Sequence, residues 1–197
     1  MSPTAEKLAV RDRLLETAAR LFYEKGYVST GVNEVIKQAG ICKASFYHHF
    51  KSKEDLLVTT LEQRHDKMMG ELREVVSKGS TPAEKIGRVF EWLGNACKCG
   101  VSSNGCAYLN MVSEFRDASS RVRELVRWHK DVFRRFLFEL VEAHFRGQGK
   151  SEDELKDVGD EIYLLAEAVF AASPVHQCTW PAETAWRIVS SRLGLEE

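Results

Sequence analysis

Two short stretches carry residue types that could do chemistry. CKCGVSSNGC, residues 97–106, holds three of the chain's five cysteines. Thiolates bind soft metals, form disulfides, and attack oxidants and electrophiles. KASFYHHF, residues 43–50, followed by Lys51 and Lys53, sets Lys, Ser, Tyr and His donors around two phenylalanines. Such donors meet phosphate oxygens and base edges.

The thiol spacing leaves several chemistries open. C-x-C-x6-C supplies three metal ligands, with His176 or Cys178 as a fourth if the fold brought one near. Cys97 and Cys99 would point roughly 200° apart on a helix, which disfavours a shared metal unless the helix ends at Gly100. Cys106 is expected in the first turn of a helix, where free N–H groups and the dipole favour a thiolate. Cys97 or Cys99 would then be the resolving partner. A small buried residue without chemistry is the plain alternative. Cys42, in the donor-rich region, is a second candidate thiol.

The elements that must position these residues are helices. Leu14, Ala18, Leu21 and Phe22 share one helical face, and Gly26 suits a left-handed cap after them. VNEVIKQAG and KASFYHHF read as two short helices either side of Gly40. Ser52 is expected to cap a long helix reaching about Gly79, and Thr81-Pro82-Ala83-Glu84 to open another reaching about residue 99. Asn104 would cap a helix from Gly105 to about Asp117. From residue 120 to 146, Val122, Val126, His129, Phe133, Leu137 and Val141 anchor a continuous stripe. Ser151 to Glu154 forms a second capping box. Pro174 is expected to kink or end the helix that follows, and Pro181 to start the last one. The fold class is therefore all-α with about nine helices.

Bulk properties agree. The chain has 197 residues, 28 Lys and Arg against 29 Asp and Glu, and no apolar run long enough for a membrane span. MSPTAEKLAVRDRLL lacks the apolar run of a signal peptide, and five cysteines without an export signal fit a reducing cytoplasm. The first 65 residues carry ten basic and eight acidic side chains, about +2, and the remainder about −3. That is the sign expected of an N-terminal DNA-binding head. Such a weak net charge argues against an architectural DNA protein. No nucleophile elbow, phosphate loop, zinc-protease or dinucleotide fingerprint is present, so an enzyme is not expected.

Two short helices around Ala39-Gly40 suggest a helix-turn-helix, with Val35, Ile36 and Ala39 packing inward and Phe46 and Phe50 anchoring the second helix. TGVNEVIKQAGICKASFYHHFKSKEDLL, with its pattern AG-x-x-K-x-x-x-Y-x-H-F-x-x-K, resembles the DNA-binding domain of TetR-family transcriptional regulators over roughly residues 10–57. The resemblance implies three DNA-binding helices in residues 1–52 and an effector-binding and dimerisation domain in residues 53–197. It implies a homodimer on a palindromic double-stranded operator, no cofactor, and release by a small apolar, aromatic or electrophilic effector. Phosphate contacts map onto Thr30, Tyr47, His48 and Lys53; base-reading positions map onto Lys43, Ala44 and Ser45. Gly31 stands where the family often has Ser or Thr, and Cys42 where it often has a capping Ser.

Effector-lining candidates are Phe90, Trp92, Cys106, Tyr108, Met111, Phe115, Trp128, His129, Phe133 and Tyr163. NGCAYLN resembles a GC-x-x-x-N element of some family members that respond to electrophiles through that cysteine, which makes Cys106, with Cys97 and Cys99, the redox-sensing candidate. A thiolate metal-sensing repressor is the alternative. Ala166, Ala168, Ala171, Ala172 and Ser173, with the helix after Pro181, are the expected dimer surface.

Overall fold

The structure, a computed structural model, describes residues 3–98, 105–117 and 119–195. Among them are nine α-helices and no strand, the all-α architecture expected. In order these are α1 (Pro3–Lys25), α2 (Val32–Ala39), α3 (Lys43–His49), α4 (Lys53–Ser77), α5 (Pro82–Lys98), α6 (Ala107–Glu114), α7 (Arg121–Phe145), α8 (Glu152–His176) and α9 (Trp180–Arg192).

Local chemistry accounts for most boundaries. Gly26 closes α1 at φ 86°, and Gly40 closes α2 at φ 65°, a conformation that a Cβ would strain. The Ile41 N–H then donates to Ile36 O at 3.2 Å, finishing a left-handed cap and turning the chain toward α3. Ser52 Oγ accepts from the Asp55 N–H at 3.0 Å to open α4. Thr81 Oγ1 accepts from Glu84 N–H, while the Glu84 carboxylate reaches one residue further back than expected, to Ser80 N–H at 2.7 Å. Both halves of the capping box at Ser151 form.

Two helices differ from expectation at their boundaries. α6 is shorter at both ends: Gly105 sits at φ 81° and cannot belong to the helix, so Cys106 immediately precedes α6 instead of lying in its first turn. At the other end the Arg123 guanidinium donates to Phe115 O at 2.7 Å, a cation on carbonyls that have lost their helical partners. α8 runs through Pro174 to His176, so of the two expected outcomes, a kink or an end, the helix does not end at that proline. Asn104 and Cys99, and the side chain of Cys97, lie outside the described residues.

Packing divides the chain into two compact units, Met1–Asp66 with Ala107–Arg127, and Lys67–Cys106 with Trp128–Glu197. The expected functional boundary at residue 52 concerns a different property and stays an expectation. In the first unit α1 packs on α2 and α3, burying Leu14, Leu21 and Phe22 with Val35 and Phe46. Leu56, Leu57 and Leu61 of α4 and Tyr108 and Met111 of α6 are buried as well. The Tyr108 hydroxyl donates to Leu61 O at 3.0 Å, which fixes α6 against α4 inside this unit.

In the second unit α5, α8 and α9 pack on one another. Its core joins Met69 and Leu72 of α4, Ile86 and Phe90 of α5, Phe133 and Leu137 of α7, Ile162 and Val169 of α8, and Val189 of α9. Gly87 permits the close approach of α9, because a Cβ there would lie 3.0 Å from the Trp186 ring.

Candidate nucleic-acid interface and thiol site

α3 has a buried face and an exposed face. Phe46 and Phe50 are 0% and 2% exposed, four residues apart, and tie the helix to the core of the first unit. Lys43, Ala44, Tyr47 and His48 lie exposed on the other side, with Ser45 partly buried. Tyr47 is 53% exposed and rests edge-on against Phe46 at 5.1 Å between ring centres, so its phenol is held yet accessible. Cys42 occupies the N-cap position without a side-chain bond to the backbone, as its weak acceptor sulfur suggests. Its thiol is exposed and lies 3.2 Å from Ser45 Oγ; hydrogen bonding from Ser45 lowers its pKa from the ordinary thiol value.

Two expected phosphate contacts are placed otherwise. Thr30 is fully buried, and its hydroxyl donates to Gly26 O at 2.7 Å. The Lys53 ammonium donates to Tyr27 O at 2.8 Å and Thr30 O at 3.0 Å and lies 3.9 Å from the Tyr27 ring centre. Burial lowers the Lys53 pKa, against a smaller opposing pull from Glu114. Both side chains thus hold the loop between α1 and α2 together in this arrangement. The chain entering α4 is also held from within: the Asp55 carboxylate accepts from Lys51 N–H at 3.1 Å.

The thiol site is a different environment. Lys130 Nζ lies 3.6 Å from Cys106 Sγ. The same ammonium bonds both carboxylate oxygens of Glu167, at 2.8 and 2.6 Å, with the two side chains only 13% and 17% exposed. The Phe170 ring lies 5.7 Å from the Lys130 nitrogen. Burial, then the Glu167 and Asp131 charges, pushes the nearby Tyr163 phenol up to about 12. No local sequence pattern pairs Lys130 with Glu167, because the two stand 37 residues apart on different helices. Among the described residues no three His, Cys, Asp or Glu side chains gather as a metal site.

The ten effector-lining candidates are divided between the two units. Tyr108, Met111 and Phe115 belong to the first unit, and the other seven to the second. There Phe133 meets Tyr163 and Phe170, at 6.2 and 6.3 Å between ring centres, and Trp92 meets Phe170 at 6.3 Å. Phe133 and His129 are buried, whereas Trp128 is 46% exposed. An open cleft of about 530 Å³ between α5 and α9 is bordered by Phe90 alone of the ten, together with Trp186, Arg88, Glu84, Glu91 and Glu183.

A short helix anchored by two phenylalanines and turned outward at Lys43, Tyr47 and His48, after a tightly capped α2, defines a helix-turn-helix protein. Residues 14–59 match the family model for bacterial regulatory proteins of the tetR family. The chain is 36% identical over 80 residues to the transcriptional repressor KstR2 of Mycolicibacterium smegmatis, covering 41% of this chain and 39% of that protein. It is 31% identical over 115 residues to the repressor NemR of Escherichia coli, covering 57% of each. These aligned stretches are thus well under two thirds of those relatives' lengths. The fold matches that of a TetR-family regulator from Streptomyces coelicolor with a TM-score of 0.86 and 25% identity, covering 95% of this chain and 97% of the other. Residues 14–59 thus match the DNA-binding region of the TetR family, and the fold as a whole is similar to that of a TetR-family transcriptional regulator. No helix among the described residues is long and apolar enough to cross a membrane.

Proposed function

We propose that the chain is a cytoplasmic repressor that binds a palindromic DNA operator as a homodimer and releases it when a small effector binds or Cys106 is modified. The carrying observation is the exposed face of α3, which sets Lys43, Tyr47 and His48 outward over buried Phe46 and Phe50. Ser45, at the edge of that face, joins Lys43 and Ala44 as a base-reading position. Thr30 and Lys53 act indirectly in this reading, by fixing the loop that carries α2.

One such helix reaches only a few base pairs, so two copies about 34 Å apart are needed for useful affinity. Leu164, Ala168, Ala171 and Val175 support the second copy: they recur every three or four residues along α8 and all are exposed. Ile188 on α9 adds a further exposed apolar side chain. Of the small residues expected at this surface, Ala166 and Ser173 are instead buried in their own subunit. For Cys106 the support is its contact with Lys130, whose ammonium would meet negative charge developing on the sulfur.

A gel-shift titration against the DNA upstream of the chain's own gene tests this reading. With six to ten phosphates neutralised per dimer, affinity should fall about 10³- to 10⁵-fold between 50 and 200 mM salt. Tyr47→Ala should weaken binding about tenfold or more while far-ultraviolet circular dichroism stays unchanged. A salt-independent interaction, or full binding by the Tyr47 variant, would count against it.

A further inference from the structure

The loop between α1 and α2 is held from both sides. Lys53 takes its carbonyls, at Tyr27 and Thr30. Its amides are taken by Glu114, the last residue of α6: Glu114 Oε1 accepts from Tyr27 N–H at 2.9 Å and Oε2 from Val28 N–H at 2.6 Å. Gly26 makes room for that carboxylate, since a Cβ there would stand 3.0 Å from Glu114 Oε1. Phe115, the next residue, packs on Tyr27 at 4.9 Å between ring centres. The Arg123 bond to Phe115 O and the Tyr108 bond to Leu61 O fix α6 itself.

We propose that Glu114 is a positioning residue for DNA binding: its carboxylate, clamped on the Tyr27 and Val28 amides, sets the loop that places α2 and α3 on the operator. This rests on the DNA-binding reading above. The physical reason is that a carboxylate bridging two adjacent amides fixes a loop in two directions, and hydrogen bonds to a charged acceptor are the strong ones. Val32 opens α2 only four residues after Val28, so displacement of the loop carries directly into the helix-turn-helix. A slide of α6 along its axis would withdraw the carboxylate from both amides at once.

The test compares the full-length wild type with Glu114→Gln and Glu114→Ala. Gln keeps the shape but offers one acceptor oxygen and turns an NH₂ toward the second amide. Amide hydrogen exchange at Tyr27 and Val28 should accelerate about tenfold or more in both variants, with exchange at Leu21 and Phe22 of α1 unchanged. Operator affinity should fall about tenfold or more with an unaltered salt slope, because no phosphate contact is removed. Faster loop exchange with full operator affinity would overturn the proposal. So would an affinity loss matched by faster exchange throughout α1, which would make Glu114 a general stabiliser. Wild-type protein that binds no duplex would sink the DNA-binding reading itself, whereas binding wild type with unaffected variants sinks the clamp alone.

Discussion

α3 of the first unit and the Lys130 site of the second use aromatic and charged side chains in opposite ways. In the first, Phe46 and Phe50 fix α3 from inside while Lys43, Tyr47 and His48 face outward. In the second, Phe90 and Phe133 are buried in the core, and Lys130 is bound to Glu167. The first arrangement leaves hydrogen-bonding groups available to another molecule. The second satisfies them internally, because a buried charge is tolerated only when it is paired. A surface for recognition is therefore built from residues that the fold positions but does not consume, and its chemistry stays visible.

The sharpest way to break this contrast is to remove the support under the exposed face. Phe46→Ala should cost about 3–5 kcal/mol of stability and abolish operator binding, measured by urea unfolding and gel shift. Retained binding would mean that α3 does not depend on its buried anchor. Next comes the internal pair of the second unit. Glu167→Leu, which strands the Lys130 ammonium, should destabilise by about 3 kcal/mol or more, whereas Lys130→Met with Glu167→Leu should be close to neutral. If the double variant is as unstable as the single one, the pair contributes more than mutual compensation.

The smallest effect concerns pH. Burial raises the Tyr163 phenol to about 12 in the fold, against 10.0 for the free side chain. A raised folded pKa gives stability that is complete below the unfolded pKa and is lost as pH rises through the folded one. The contribution of Tyr163 should therefore decline between pH 10 and about 12, and Tyr163→Phe should flatten the alkaline limb of a stability-against-pH curve. An unchanged limb would remove Tyr163 from the packed interior of this unit.

Much of the head was legible because its signals are local. The inward Val35, Ile36 and Ala39, the turn at Gly40 and the Phe46–Phe50 pair are each decided within about a turn of helix. The roles of Thr30 and Lys53 were not legible, because a threonine or lysine reads the same whether it faces solvent or a carbonyl. Their bonds to Gly26 and to Tyr27 and Thr30 exist only once α1, α2 and α4 have met. The exposed face of α8 was only half legible: small residues marked the helix, yet burial divides Ala168 and Ala171, which are exposed, from Ala166 and Ser173, which are buried.

By itself the sequence determined the all-α architecture, most helix boundaries and which residues of α3 face outward, since propensity, caps and periodicity act between residues at most four apart. Only the tertiary structure decided that Glu114 closes on amides 87 and 86 residues away and that Lys130 lies between Cys106 and Glu167. Contacts of that separation leave no period in the chain. They come from burial, which forces each enclosed charge to find a partner wherever folding has brought one.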